Sequence, residues 1–143
     1  MMSGKEKEEK EKEEKEKEKE EKERKALVEL EDALWARDAD RVTRVLQTGA
    51  ITPQAVDKGG HGLFVGYTPL TWAIWRDCSL SVLDQLIAAG AKVETREPGW
   101  KVTPLAVAVY WDSPAHVDHL LHRHGADPNA TMTSDDRIIQ FKL

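Results

Sequence analysis

The second half of the chain contains two segments that repeat each other at an offset of 35 residues. Residues 68–95 (TPLTWAIWRDCSLSVLDQLIAAGAKVET) and residues 103–130 (TPLAVAVYWDSPAHVDHLLHRHGADPNA) align without a gap and are identical at nine of 28 positions. A repeat of this length is typical of proteins built from stacked units, because one unit cannot bury its apolar face alone. The sequence therefore predicts a solenoid.

Each repeated segment has the pattern of two short helices joined by a tight turn. A Thr suits the first N-cap, and the Pro after it suits the first helical position, where no N–H is required. A Ser suits the N-cap of the second helix, and a Gly suits the left-handed residue that ends it. The paired positions are Thr68 and Thr103, Pro69 and Pro104, and Gly90 and Gly125, while the capping serines are Ser79 and Ser113, 34 residues apart.

This pattern resembles the ankyrin repeat, through "TPL..A", the paired apolar positions near the end of the second helix, and a final "GA" that extends to "GADPNA". Three features depart from the family pattern. The usual His after TPL is Thr71 or Ala106, and each helix pair is one residue longer. The Gly of the inter-helix turn is absent, with residues 78–79 and 113–114 in its place.

A third unit precedes these two at Leu30–Ala50, and it resembles an N-terminal capping repeat because it lacks TPL. The expected fold is all-α: a short ankyrin-type helical solenoid at residues 26–131, preceded by a charged, helical N-terminal extension. The connectors between units are expected to project as fingers. The repeats are placed at about residues 26–50, 66–95 and 101–130.

Residues 132–143 are expected to be a C-terminal tail or an incomplete repeat. Because no helix pair follows the last unit, its outward face is either covered by this tail, covered by a partner, or left open by a natural truncation. That face includes parts of Val107, Leu120 and Leu121. The tail residues that would cover it are Ile138, Ile139 and Phe141.

The segment Lys5–Lys25 consists of Glu, Lys and Arg alone, eleven acids and ten bases. It has nothing apolar to bury, but Glu and Lys favour helices, and Glu followed four residues later by Lys adds support. One continuous helix is predicted from near Lys5 to Trp35, with a disordered tail over residues 1–25 as the alternative. The segment resembles KEKE motifs, proposed as contacts for chaperone or proteasome-type partners; a solvated spacer is the simpler interpretation.

Several function classes lack their sequence signals. Cys78 is the single cysteine, no N-terminal apolar segment or long apolar run is present, and the net charge is -5. These features favour an intracellular protein, cytoplasmic or nuclear, with neither a membrane nor a nucleic-acid partner. Four His lie within residues 115–124, but their spacing does not suit a zinc site on an α-helix, so a solvent-exposed helix is expected. We expect no catalytic residue, no metal and no cofactor.

The ankyrin resemblance implies where a partner would bind. In ankyrin stacks the first helices and the fingers line a concave groove, and contacts come from the two positions after the small-residue pair of each first helix. The first of these positions is aromatic in all three units. Since aromatic residues and Arg dominate interface energetics, this column is predicted to contact a protein partner. The candidate partner-binding residues are Trp35, Phe64, Trp75, Arg76, Trp100, Tyr110 and Trp111.

The aromatic column has a second interpretation, in which its rings fill gaps between stacked helices. Trp72, whose counterpart is Val107, is predicted to pack between repeats. The first function hypothesis is a non-catalytic adaptor or scaffold that binds a protein of unknown identity. The alternative is a structural spacer or assembly role carried by the charged helix. The sequence does not indicate an oligomeric state.

Overall fold

The computed structural model describes residues 3–58, 67–96, 101–129, 131–134 and 137–140. Its strands β1 (Thr131–Ser134) and β2 (Arg137–Gln140) pair antiparallel, with Thr131 opposite Gln140. The last helix continues as a π-helical turn at His119–Arg123. The helices are α1 (Gly4–Trp35), α2 (Ala39–Gln47), α3 (Pro53–Lys58), α4 (Pro69–Trp75), α5 (Leu80–Ala89), α6 (Pro104–Tyr110) and α7 (Pro114–Asp118).

The helices pack as consecutive pairs, and the predicted all-α helical solenoid is confirmed. α1 packs on α2, α4 on α5, and α6 on α7. The first helices form one row, with α1 against α4 and α4 against α6, while α2 packs against α5 in a second row. The β1–β2 hairpin is an addition to this solenoid that the sequence pattern did not predict.

The charged segment and the first helix of the first unit form one element, α1, of 32 residues. The hydroxyl of Ser3 accepts the N–H of Glu6 at 3.2 Å and caps its start. Its buried apolar side chains lie at the other end, at Leu27, Leu30 and Leu34. Packing of these last turns therefore fixes the direction of the whole helix. Within the described residues, no helix is both long and apolar enough to cross a membrane.

Thr-Pro begins the first helix of both repeated units, as predicted. The hydroxyl of Thr68 accepts the N–H of Thr71 at 3.2 Å, and the hydroxyl of Thr103 accepts the N–H of Ala106 at 3.2 Å. Thr71 stands where the family usually has His. Its own hydroxyl accepts the N–H of Thr68 at 2.9 Å, so two buried N–H groups are satisfied reciprocally.

Each first helix ends in the same tight turn. In the two repeated units its left-handed residue lies one position before residues 78–79 and 113–114, where the sequence placed the turn. The left-handed residues are Arg37, Asp77 and Asp112, with φ of 57°, 57° and 51°. In the first turn the N–H of Asp38 donates to the carbonyl of Ala33 at 2.9 Å, and the equivalent hydrogen bond recurs in the other two turns. This is the Schellman arrangement, in which glycine usually holds the left-handed position.

Replacing Arg37 by glycine is expected to stabilise the fold, because glycine adopts a positive φ without a Cβ clash. The net gain in the free energy of unfolding should be about 0.5–1 kcal/mol, after the extra entropy that glycine loses on folding. Urea unfolding followed by circular dichroism measures it. Arg44→Gly, inside α2, is the matched control and should cost about 1 kcal/mol. A loss of stability in both variants would contradict the left-handed turn.

Three carboxylates tie the exits of the second helices to an earlier part of the chain. In each exit a backbone N–H donates to one carboxylate oxygen, and such charge-assisted bonds are stronger than neutral ones. The donor and acceptor pairs are Thr52 and Glu23 (3.0 Å), Lys92 and Asp57 (2.8 Å), and Asp127 and Glu94 (2.8 Å). The charged helix thus supplies to the first unit the contact that a connector supplies to each later unit.

The first connector differs from the finger expected there. Pro53–Lys58 forms α3, whose Val56 is fully buried. Gly90 lies so close to α3 that a Cβ added to it would sit 2.5 Å from the Cα of Pro53. This contact and its φ of 133° both require glycine at the exit. Residues 59–66 of this connector and residues 97–100 of the next lie outside the described residues.

The serines at the starts of the second helices do not act as predicted. Ser79 and Ser113 hold the N-cap positions, but neither side chain makes a capping hydrogen bond. The Ser113 hydroxyl instead lies 2.6 Å from Nδ1 of His116, whose Nε2 lies 2.7 Å from the carbonyl of Cys78. Because a carbonyl only accepts, Nε2 carries a proton, and in the neutral imidazole Nδ1 then accepts from Ser113. His116 is buried, so the expectation of a solvent-exposed His helix is wrong for this residue.

The residues named for the outward face of the last unit are largely inaccessible to solvent. Val107 and Leu120 are buried, and Leu121 is half-buried. Ile138 and Ile139 lie in β2, while Phe141 is outside the described residues. The last unit also has a surface groove of about 330 Å³, lined by Val109, Asp112, Ser113, Pro114, Val117, Asp118 and Leu121.

Cys78 is buried between the first two units, where its thiol lies 3.5 Å from the carbonyl of Leu34. Burial raises the pKa of the Cys78 thiol, against the lowering effect of the charges of Arg37 and Arg76. The folded state therefore favours the neutral thiol. This contribution to stability is fully present below the pKa of the unfolded thiol, and it is lost as the pH rises through the folded value.

Cys78 should react with an aromatic disulfide reagent at least about 100-fold more slowly in the folded protein than in urea, because opening its site costs a few kcal/mol. Absorbance of the released thiol measures the rate, and no other cysteine contributes to the signal. A folded-state rate close to that in urea would show that the thiol is not enclosed by the first two units.

Candidate functional site

Each first helix ends on an aromatic residue. Trp35, Trp75 and Tyr110 are the last helical residues of α1, α4 and α6. The first helices pack side by side, and the centroids of the Trp35 and Trp75 rings are 6.4 Å apart. Because the same turn follows each helix, the three side chains leave the stack at equivalent positions. Together with Trp111, which follows Tyr110, they form what we call the aromatic face.

In the second and third units, the residue after the first helix contacts the aromatic residue of the preceding unit. The guanidinium of Arg76 donates from Nε and Nη2 to the carbonyl of Trp35 at 3.1 and 2.8 Å, and its carbon lies 4.3 Å from the centre of the Trp35 ring. The equivalent residue of the next unit, Trp111, meets the Trp75 ring edge-on at 5.7 Å. We call this contact with the preceding unit the backward contact. A cation makes it in the second unit, and an aromatic ring makes it in the third.

Exposure differs along the aromatic face. The exposed fractions are 49% for Trp35, 68% for Tyr110 and 50% for Trp111, whereas Trp75 is half-buried against the core. Trp72 lies beneath them, only 5% exposed, with its ring 5.7 Å from Trp35 and 4.6 Å from Trp75. The aromatic face is thus a surface layer of rings that packs on the buried ring of Trp72.

The structure brings together five of the predicted partner-binding residues: Trp35, Trp75, Arg76, Tyr110 and Trp111. Phe64 and Trp100, the two predicted on the fingers, lie outside the described residues. Trp72 packs between repeats as its Val107 counterpart suggested.

Tyr67 is a member of the cluster that sequence reasoning missed. It precedes the Thr-Pro start of α4, and its ring lies 5.3 Å from Trp72 and 6.3 Å from Trp75. The available signal was its position directly before the N-cap, where an apolar residue packs back onto the helix that follows.

Stability measurements can distinguish rings that pack between helices from rings that form an exposed contact surface. Trp72→Ala should cost about 3–5 kcal/mol, because it empties a buried site, whereas Tyr110→Ala should cost less than about 1 kcal/mol. Trp75→Ala should fall between them. Urea unfolding of the three variants measures these differences. If Tyr110→Ala were as costly as Trp72→Ala, the Tyr110 ring would be filler between helices, not a free surface.

A cluster of titratable side chains lies between the second helices of the last two units. Asp84 of α5 accepts from Nε2 of both His119 and His124, at 2.7 and 2.6 Å to the same oxygen, Oδ1. The two imidazole rings meet edge-on at 5.1 Å. Burial acts to raise the pKa of Asp84, but hydrogen bonds from the two His and their charge outweigh it and lower that pKa. The α-helical spacing of these residues gave no sign of this cluster in the sequence.

Comparison with known proteins gives one result for the repeats. The family model of the ankyrin repeat matches residues 101–132, the segment that holds α6, α7 and the π-helical turn. The resemblance predicted from the sequence is confirmed on this segment. No curated protein matches the chain.

Proposed function

The chain contains an ankyrin repeat, and on this premise we propose that it is a non-catalytic protein-binding module that acts as an adaptor or scaffold. Ankyrin repeats generally mediate protein–protein interactions and are typically non-catalytic. The aromatic face, with Arg76 beside it, is the surface through which we propose that the partner binds.

The exposure of Tyr110 and Trp111 is the observation that carries this proposal. Two neighbouring aromatic side chains, 68% and 50% exposed, continue a row of rings in which Trp35 is 49% exposed and Trp75 is half-buried. Exposed aromatic rings on a rigid support are typical interface hot spots, because they bury a large area at little entropic cost. Their support here is a helix end, since Tyr110 is the last residue of α6 and Trp111 opens the tight turn that follows.

The backward contacts suggest what chemistry the partner supplies. Trp35 is met by Arg76 and Trp75 is met by Trp111, each from the unit that follows. Among the described residues, no following unit meets the Tyr110 ring in this way. We therefore expect the partner to place an Arg or an aromatic side chain on Tyr110, in the position that a further unit would occupy.

The test is a binding measurement with matched variants. Partners captured by the full chain are identified by mass spectrometry, and one purified partner is titrated against wild type and a Tyr110→Ala/Trp111→Ala double variant. Loss of two hot spots should weaken the affinity by at least about 10-fold. Leu80→Ala, an exposed apolar residue of α5 outside the aromatic face, is the control and should bind as wild type does.

Two other results would contradict the assignment of the aromatic face as the binding surface. If the double variant stays folded by circular dichroism and binds the partner with wild-type affinity, the aromatic face is not the binding surface. If both the double variant and Leu80→Ala lose binding, the effect belongs to the stability of the fold.

The charged helix supports a second candidate function, a spacer or assembly role. α1 continues without interruption from the charged segment into the core, so its exposed part projects at a fixed angle from the first unit. Deleting residues 1–20 tests this role and retains Glu23, which binds the exit of the first unit. Loss of partners on this deletion, with the Tyr110→Ala/Trp111→Ala variant unaffected, would favour the helix as the working part.

A further inference from the structure

We propose that Asp84, His119 and His124 form a binding site for a divalent transition-metal ion, with Zn²⁺ as the representative ion. Among the described residues these three are brought together as one group of possible ligands, with their donor atoms all within 4.8 Å of one another. They come from neighbouring units: Asp84 lies in α5, His119 begins the π-helical turn and His124 directly follows it. A bound ion would therefore clamp the second unit to the third.

The donor set suits the zinc class. Imidazole nitrogen and carboxylate oxygen bind Zn²⁺ at about 2.0–2.2 Å, and two His with one carboxylate are a common set that leaves a position for water. Tetrahedral bonds of this length place the ligand atoms about 3.3 Å apart. The Nε2–Oδ1 distances of 2.7 and 2.6 Å would have to widen by about 0.6 Å, which small side-chain rotations can supply.

The π-helical turn is the feature that makes the site possible. In an α-helix, residues five apart project about 140° from each other, so His119 and His124 would point to different sides. A π-helical turn pairs residue i with residue i+5, and it brings the two rings within 5.1 Å. Such turns are rare and are frequently found at functional sites. The α-helical spacing applied to the sequence could not reveal this pair.

The surroundings of the cluster allow an ion to enter. Each His side chain is 15% exposed, and the Asp84 side chain is 42% exposed, so the site opens to solvent on the carboxylate side. Without a metal, both imidazoles donate N–H from Nε2 to Asp84. When the ion binds, each neutral imidazole carries its proton on Nδ1 instead, and the Nε2 lone pair faces the ion.

The experiment uses the full chain after treatment with a chelator. Isothermal titration with Zn²⁺ should show one ion per chain, and Co²⁺ should give visible d–d absorption of a four- or five-coordinate site. At an excess of 100-fold over Kd, Zn²⁺ should raise the melting temperature by about 10 °C. Heteronuclear NMR of the imidazoles should show the Nε2 signals of His119 and His124 shifting on addition of Zn²⁺.

Matched variants identify the ligands. Asp84→Asn and His124→Gln should each weaken Zn²⁺ binding by at least about 10-fold. His122→Gln is the control, because this imidazole lies in the same turn but is 77% exposed and pairs with Asp118. Its binding should match that of wild type.

Several outcomes overturn the proposal. One is the absence of stoichiometric Zn²⁺ binding by wild type; another is binding that survives in a His119→Gln/His124→Gln double variant, which would place the ion elsewhere on the chain. If that variant does not fold, the NMR signals of wild type decide, and unshifted His119 and His124 signals reject the site. Neither result affects the proposed protein-binding surface, since the aromatic face is not part of the cluster.

Discussion

The turn that ends each first helix is the constraint on which the rest of this molecule depends. A non-glycine residue in the left-handed conformation reverses the chain at Arg37, Asp77 and Asp112, at a cost of about 1–2 kcal/mol each. The cost is offset because the turn satisfies the last carbonyls of the helix and starts the second helix against the first. The same turn sets where the aromatic residues of the first helices emerge.

Polar contacts between units then select one way of stacking. Carboxylates bind the exits of the second helices, His116 of the third unit meets the carbonyl of Cys78 in the second, and Arg76 meets the carbonyl of Trp35. Each of these contacts joins a charged or buried group to one specific backbone atom. A shifted register would leave the buried Nε2–H of His116 without its carbonyl acceptor, at a cost of about 1–3 kcal/mol. The apolar faces stabilise the stack, and these bonds define its register.

The two proposed sites use opposite sides of this arrangement. The aromatic face lies at the ends of the first helices, where exposed rings are supported by a buried Trp72. The proposed metal site lies between second helices, where Asp84 and His119 occupy equivalent positions 35 residues apart. A clamp between the last two units would hold α6, and with it Tyr110 and Trp111, in a fixed relation to Trp75. Metal binding would then stabilise the aromatic face, although the ion would not contact that face.

The sequence by itself determined the helical repeat. Its period, its Thr-Pro starts and its exit glycines are local signals, and they predicted the solenoid and the positions of its aromatic column because capping and φ preferences act within a few residues. Only the tertiary structure decided which rings are exposed, that Arg76 binds Trp35, that His116 is buried, and that His119 and His124 meet at Asp84. These outcomes depend on packing between units and on a π-helical turn, and neither has a signature in residue spacing.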